Sequence, residues 1–262
     1  MAALIWLYPV GIGVRLRVVA VSAAVLVLLQ LVARFRLETL RDWLPPALVW
    51  LAYREAGWFA RPFDGHPLEQ QWIRLDRVVL GDWGLKALTE SLGPAFPSIL
   101  EIAYVLVSPI PVFGILALIA FDYRERIDRF LFAFTLGTTM AYALFPFFPS
   151  EPPRVVFAGE YAAMDTIFRQ FSWWILDGNG IHSSVFPSAH VSGSLSAALA
   201  MRRVLPEKPW VGGSLMALAA LIFWATIYGR YHYVVDALAG VGVAVAAYVF
   251  SLRQSVLFRR TG

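Results

Sequence analysis

The stretch HYVVDALAGVGVAVAAYVF, residues 232 to 250, decides the fold class of this chain. After one histidine and one aspartate, it continues to Phe250 without another charged residue. An apolar run of about 18 or more residues is long enough to cross a bilayer as a helix, and we predict such a span over residues 233–252. The 262 residues are 59% hydrophobic and 15% charged, with a mean hydropathy of +0.63. Because a soluble domain is about one quarter charged, the composition predicts an integral membrane protein.

Working outward from this run, we find further apolar segments that predict membrane spans. With residues 233–252 they form the series 16–34, 43–60, 97–121, 128–148, 187–204, 210–229 and 233–252. Arg54 and Glu55 weaken the second segment, and the count falls from seven to six if that segment only dips into the membrane. Pro109 and Pro111 should kink the third segment.

Residues 64–96 are mixed in character, and within them EQQWIRLDRVVLGDW has apolar residues at helical spacing with charges between them. This pattern is typical of a helix that lies at the membrane interface. The predicted fold is therefore all-α: a polytopic membrane helical bundle with six or seven transmembrane helices and an interfacial helix. We expect residues 1–262 to form a single membrane domain.

The basic residues are concentrated in short segments between the predicted spans and at the C-terminus. DYRERIDR (122–129), MRRVLPEK (201–208) and RQSVLFRR (253–260) all fall on one face if the helices alternate. The positive-inside rule makes that face and the C-terminus cytoplasmic, in the plasma membrane, and places loops 149–186 and 230–232 outside. This rule explains the net charge of +4 better than nucleic-acid binding does. The absence of cysteine excludes disulfide and thiol chemistry.

Polar side chains gather where two of the predicted spans begin at the outer face. His232 and Asp236 are four residues apart, so they share one side of a helix. The aspartate can accept a hydrogen bond from one ring nitrogen and leave the other nitrogen basic, as a nucleophilic histidine requires. His190 is placed to donate a proton to a leaving oxygen. The helix that opens at Ser188 offers free N–H groups to a phosphate.

Other side chains on the same face complete the predicted site. Arg154 and Arg230 are candidates to neutralise phosphate oxygens. Glu101 and Tyr104 begin the third span and are weaker candidates for contact with a substrate headgroup, since packing is an alternative role for them. The set fits phosphoryl transfer through a phosphohistidine. We expect neither a cofactor nor a metal ion, because the sequence offers no metal-ligand cluster.

The motifs PSAH (187–190) and HYVVD (232–236) resemble those of the type-2 phosphatidic acid phosphatase superfamily, which includes lipid phosphatases and lipid phosphotransferases. The resemblance implies that His232 attacks phosphorus, that Asp236 orients it and that His190 protonates the leaving group. It covers roughly residues 128–252, which we take as the catalytic core.

Two motifs common among the phosphatases of that superfamily are missing from this sequence. No lysine is followed by Arg-Pro at the required spacing, and Ala225 and Thr226 occupy the positions of a Ser-Arg pair. In their place stands YALFPFFPSEPPRV (142–155), which is similar to a Pro-rich stretch of the inositol phosphorylceramide synthase-like branch. Within this resemblance, Arg154 takes over phosphate binding.

Three functions remain open at this stage. The first is transfer of a phospho-headgroup, such as phosphoinositol, from a phospholipid to a lipid alcohol. The second is a plain lipid phosphate phosphatase acting on phosphatidic acid or a polyprenyl phosphate. The third is a non-enzymatic membrane transporter or scaffold, against which the intact histidines and aspartate argue. The predicted partners are a phospholipid, a lipid alcohol and the bilayer itself, with no nucleic acid.

Overall fold

The helix Ala189–Val204 occupies the centre of the molecule, and four other helices pack against it. Its sequence, AHVSGSLSAALAMRRV, is rich in Ala, Ser and Gly, whose small side chains let neighbouring helices approach closely. Ser192 Oγ donates a hydrogen bond of 3.1 Å to the Gly137 carbonyl of one neighbour. A side chain on Gly137 would overlap Ser196, so this crossing requires glycine.

The computed structural model describes residues 10–59, 65–179 and 185–258, and every regular element in these ranges is helical. The α-helices are α1 Ile12–Arg34, α2 Glu38–Ala56, α3 Pro67–Asp76, α4 Leu85–Ser91, α5 Ala95–Val105, α6 Ile110–Ala120, α7 Ile127–Leu144, α8 Pro153–Val156, α9 Ile167–Asn179, α10 Ala189–Val204, α11 Pro209–Tyr228 and α12 Val234–Phe258. A π-helical turn, Arg77–Asp82, continues α3, and short 3₁₀ turns at Arg124–Arg126 and Phe145–Phe147 flank α7. The all-α prediction is confirmed.

Four helices are long and apolar enough to cross a membrane, among the residues that the structure describes. They are Ile12–Arg34, Arg124–Phe147, Pro209–Tyr228 and Val234–Arg253. The bent pair α5 and α6 gives a fifth if it is counted as one span. The expected six or seven spans are therefore not confirmed. The helix α2 carries too many charges to qualify, and α10 is only 16 residues long, shorter than the roughly 20 residues that a bilayer core requires.

The predicted kink is confirmed, because α5 and α6 meet at an angle of 78° across residues 106–109. Pro109 and Pro111 lie at or beside this break, where proline removes a backbone donor and clashes with the preceding turn. The stretch predicted to be an interfacial helix is also helical, as α3, the π-helical turn and α4. Its buried face carries Ile73, Val79 and Leu80, but also the carboxylates of Glu69 and Asp76.

The arginine-rich loops gather at one end of the bundle. Arg126 Nη1 donates to the carbonyl of Val204 over 2.7 Å, which joins loop 122–129 to loop 201–208. Arg124 Nε donates to Asp42 over 2.9 Å, which brings the start of α2 to the same end. The helices α10 and α12 begin at the opposite end, and that end carries PSAH and HYVVD.

The start of α10 touches the second turn of α12 at a glycine. A Cβ atom on Gly240 of α12 would lie 2.6 Å from the Ser188 carbonyl oxygen and 3.0 Å from Val191 Cβ. Gly242 lies two residues further along the same helix, and a Cβ there would meet nothing within 4 Å.

We expect Gly240→Ala to lower the thermal midpoint of the purified protein, because the added methyl must push α12 away from α10 at a cost of about 1–3 kcal/mol. Gly242→Ala is the matched control. It should preserve or raise the midpoint, since alanine favours a helix over glycine by about 1 kcal/mol. Thermal unfolding in detergent would measure both, and equal midpoints would contradict the close packing of the two helix starts.

Candidate active site

A backbone hydrogen bond joins the two predicted motifs. Ser188 N–H donates to the main-chain carbonyl of Asp236 over 2.9 Å. His190 is the second residue of α10, and His232 lies two residues before α12. The bond therefore brings the two histidines together, although 42 positions separate them in the sequence.

The imidazoles of His232 and His190 face each other at the junction. His232 Nε2 lies 3.4 Å from His190 Nδ1, and the ring centroids are 5.5 Å apart. His232 Nδ1 lies 2.9 Å from the carbonyl oxygen of Val185. Because a carbonyl can only accept a hydrogen bond, Nδ1 carries the proton in the neutral ring. The lone pair of His232 is therefore on Nε2, the nitrogen that faces His190.

Asp236 lies close to His232, but a different group is nearest to the ring. Asp236 Oδ2 is 3.5 Å from His232 Nδ1, compared with 2.9 Å for the Val185 carbonyl. The same oxygen accepts the backbone N–H of Tyr233 over 2.8 Å. Asp236 is fully buried and accepts a backbone donor just ahead of α12. In this arrangement it supports the backbone next to His232 as well as approaching the ring.

Burial, and secondarily the positive charge of Arg154, lower the pKa of His232 to about 3. The hydrogen bond to the Val185 carbonyl acts in the opposite direction, since it favours the protonated ring. The lowered pKa keeps the imidazole neutral near pH 7. A neutral ring with a free Nε2 is the form that can act as a nucleophile.

A cavity of about 490 Å³ adjoins both histidines. Its walls are largely apolar and aromatic, with contributions from the following residues: Pro46, Val49, Trp50, Tyr53, Tyr104, residues 105–109, Pro111, Phe134, Thr138, Tyr142, Phe145, Pro152, Arg154, Ser172, Ile175, Leu176, Val185, Ala189, His190, Gly193, Tyr231 and His232. Much of the wall comes from α2, the junction between α5 and α6, α7 and α9. A mostly apolar cavity with a few convergent polar groups is typical of a small-molecule or lipid site.

Arg154 is the only arginine or lysine among the cavity-lining residues that the structure describes. Its guanidinium lies 5.2 Å from the centroid of the Tyr231 ring, and its backbone N–H donates to the Arg230 carbonyl over 3.2 Å. The Pro-rich stretch is thereby attached to the loop that carries His232. Arg154 is therefore placed beside the predicted nucleophile, where a cation can meet phosphate oxygens.

Ser188 and Arg230 lie outside the cavity lining. Ser188 is fully buried, and its Oγ accepts the N–H of Val191 over 3.3 Å, which caps α10. Arg230 is also buried, and its Nη1 donates to Asp76. Its Nε and Nη2 have no hydrogen-bond partner within the described ranges. The structure thus places both side chains behind the junction, and their predicted contact with phosphate stays a prediction.

The two weaker candidates occupy different places. Tyr104 lines the cavity and stacks on His190, with ring centroids 4.7 Å apart, and on Tyr231, with centroids 3.9 Å apart. Glu101 is buried beneath this stack and does not line the cavity. It accepts the hydroxyl of Tyr231 over 2.6 Å and Arg169 Nη1 over 2.9 Å. Glu101 therefore supports the aromatic wall, and contact of either residue with a headgroup stays a prediction.

Three groups at the site were not foreseen from the sequence. The Val185 carbonyl holds the His232 ring, and a backbone acceptor leaves no side-chain signature. Arg169 pairs with Glu101, but its surroundings in the sequence carry no motif. Asp76 pairs with Arg230, and here a signal existed. It lies three residues after Ile73, on the face of α3 that the apolar spacing marks for burial.

Several cavity residues precede the expected catalytic core of 128–252. Val49 and Tyr53 come from α2, and Tyr104 comes from α5. Within the described residues, no group of three or more His, Asp or Glu side chains is arranged to hold a metal ion.

Comparison with protein families gives one match, to a family model described as the PAP2 superfamily, over residues 70–250. No curated protein and no solved structure matches the chain significantly. The matched segment begins before residue 128, where the motif resemblance begins, and so includes Asp76 and Tyr104. It ends near Phe250, within α12.

We expect His232 to stay neutral, with Nε2 unprotonated, from about pH 8 to about pH 5. The pKa of His232 in the folded protein lies below the ordinary 6.5. Burial of the neutral ring is therefore compatible with full stability above pH 6.5, and the protein loses stability as the pH falls from 6.5 towards 3. Nitrogen NMR of histidine-labelled protein in nanodiscs would report the tautomer, with His232→Gln assigning the signal. An imidazolium signal for His232 at pH 6 would contradict the geometry.

Proposed function

Because the chain belongs to the PAP2 superfamily, whose members are typically phosphatases, we propose that it is a membrane enzyme that cleaves a lipid phosphoester through a phosphohistidine on His232. Membership suggests phosphatase or phosphotransferase activity on lipid phosphates. The observation that carries the proposal is the unprotonated Nε2 of His232, which faces His190 beside a cavity that both histidines and Arg154 line.

In the first step, His232 Nε2 attacks phosphorus and a nitrogen–phosphorus bond forms. The bond between phosphorus and the lipid oxygen breaks, and that oxygen takes a ring proton from His190. In the second step, the oxygen of an acceptor attacks phosphorus and returns a proton to His190, while the bond to His232 breaks. Arg154 neutralises charge on the remaining phosphate oxygens.

The resting separation of the histidines constrains how the substrate binds. In-line displacement places the attacking and leaving atoms on opposite sides of phosphorus. A phosphorus atom and its leaving oxygen do not fit between two nitrogens that are 3.4 Å apart. Substrate binding therefore separates the two imidazoles, and the phosphate enters from the cavity side, where Arg154 lies.

For the acceptor, we propose a lipid alcohol, with a phospholipid such as an inositol phospholipid as the donor. Two features favour transfer. The Pro-rich stretch that resembles the inositol phosphorylceramide synthase-like branch supplies Arg154, and the cavity beside the histidines is largely apolar, which suits a lipid acceptor. If water is the acceptor instead, the same first step makes the protein a phosphatase of phosphatidic acid or of a polyprenyl phosphate.

We also propose a location for the active site. The arginine-rich loops lie together at the end opposite the histidines, and arginine is concentrated on the cytoplasmic side of membrane proteins. This arrangement favours a site on the outer face of the plasma membrane with a cytoplasmic C-terminus.

The decisive experiment incubates the purified protein with a panel of phospholipids, with and without candidate lipid alcohols. We expect a new phospholipid species that depends on the alcohol, together with an acid-labile phosphoenzyme that His232→Ala abolishes. The proposed chemistry needs no metal, so EDTA should leave turnover unchanged.

Release of free phosphate without a new lipid would show that the protein hydrolyses its substrate and would reject transfer. Absence of any phosphoenzyme, with full folding, would favour a transporter or scaffold. Residual turnover of His232→Ala within about tenfold of the wild type would reject His232 as the nucleophile. Loss of turnover in EDTA that a divalent ion restores would reject the metal-free mechanism.

His190→Ala should respond to the quality of the leaving group. A lipid alkoxide needs a proton as it departs, and such assistance is worth on the order of 10²–10⁴-fold. A nitrophenolate leaves without one. We therefore expect His190→Ala to be nearly inactive on a phospholipid but to recover part of the first step on a nitrophenyl ester. Burst kinetics of nitrophenol release would measure this step, with His232→Ala as the control that shows no recovery.

A further inference from the structure

Asp76 binds the two sides of the loop that carries His232. Its Oδ2 accepts Arg230 Nη1, and its Oδ1 accepts the backbone N–H of Val234 over 2.8 Å. Arg230 lies two residues before His232, and Val234 lies two residues after it. Asp76 is fully buried at the end of α3. One carboxylate thus spans the five-residue segment whose centre is the predicted nucleophile.

The loop needs such support because its backbone is unusual. Arg230 adopts a left-handed conformation, with φ of 60°, which is uncommon for a residue other than glycine. The N–H groups of Tyr231 and His232 both donate to the Thr226 carbonyl, each over 3.0 Å. The path from α11 into α12 is therefore a tight turn, and side-chain contacts from outside the turn help to hold it.

The first donors of α12 are shared between two carboxylates. Asp236 accepts the N–H of Tyr233, and Asp76 accepts the N–H of the next residue, Val234. Asp236 belongs to α12 itself, so it moves with the helix. Asp76 belongs to α3, and the turn that follows it packs through Val79 and Leu80 against α10, α11 and α12. Because Asp76 lies outside both the loop and α12, it fixes the direction of the loop relative to the rest of the bundle.

We propose that Asp76 is a positioning residue that aims His232 Nε2 at the cavity. It acts through Arg230 and the Val234 backbone and does not line the cavity, so it does not touch the substrate. The proposal rests on the proposed role of His232 as the nucleophile. In this proposal, Arg230 connects the loop to α3 through its contact with Asp76.

The test compares Asp76→Asn with Asp82→Asn, which alters an exposed carboxylate at the end of the same segment. The asparagine amide keeps only one acceptor oxygen, so the hydrogen bond to Arg230 or the one to the Val234 N–H is lost. The probes are dioctanoyl phosphatidic acid, dioctanoyl phosphatidylinositol and nitrophenyl phosphate, each with radioactive phosphorus in its phosphate group. We expect phosphoenzyme formation to slow on the order of 10²-fold in Asp76→Asn, because small misplacement of a reacting atom has effects of that size. Asp82→Asn should match the wild type.

Three readouts separate positioning from a loss of folding. The half-saturating concentration should change by less than about threefold, because Arg154 still binds phosphate. The slowing should be equal for lipid and nitrophenyl probes, since a better leaving group does not re-aim the nucleophile. The double variant Asp76→Asn/Arg230→Gln removes both buried charges and should recover the thermal midpoint but not the rate.

An unchanged rate in Asp76→Asn, or a rate that recovers with the thermal midpoint in the double variant, would overturn the positioning role. If the wild type forms no phosphoenzyme with any probe, the proposed function is wrong, and this result does not test the role of Asp76. Nitrogen NMR then decides about Asp76 alone: altered His232 ring signals in Asp76→Asn support the aiming of the ring, and unaltered signals refute it.

Discussion

The hydrogen bond from Ser188 N–H to the Asp236 carbonyl joins the first turns of α10 and α12, and the geometry of the site depends on it. Gly240 favours the bond, because a side chain there would crowd Ser188 and Val191 and push the two helices apart. It places the starts of both helices side by side, with one histidine at each start. The small residues along α10 extend the close contact along the helix towards α7, so that the junction rests on a tightly packed centre.

The sequence predicted the helical class and the proline break, because periodicity and proline act locally. It placed the two histidines at one face because each stands where a predicted span begins. It did not predict which acceptor holds the His232 ring, since the Val185 carbonyl is brought there by the chain path alone. It also treated Arg154 and Arg230 as equivalent. Only the fold separates them, because Asp76 lies beside Arg230 and no aspartate or glutamate pairs with Arg154 in the described part of the chain.

The count of membrane spans shows a related limit of hydropathy. The helix α2 runs beside α7 and brings Tyr53 close to Tyr142, with ring centroids 5.7 Å apart, although its charges make it resemble a surface helix. Its Asp42 accepts Arg41 and Arg124 at the arginine-rich end. The partners of an ionisable group depend on the fold, so hydropathy taken from the sequence does not report them.

The hydrogen bond from Arg154 N–H to the Arg230 carbonyl has a consequence for protein engineering. It attaches the segment that carries Arg154 to the loop that carries His232. The distance between the arginine and the histidine therefore depends on both segments. A chimera that grafts residues 149–155 from another protein inherits a new cation but loses the matched loop. The smallest unit that keeps this spacing is therefore both loops together with the helix starts that hold them.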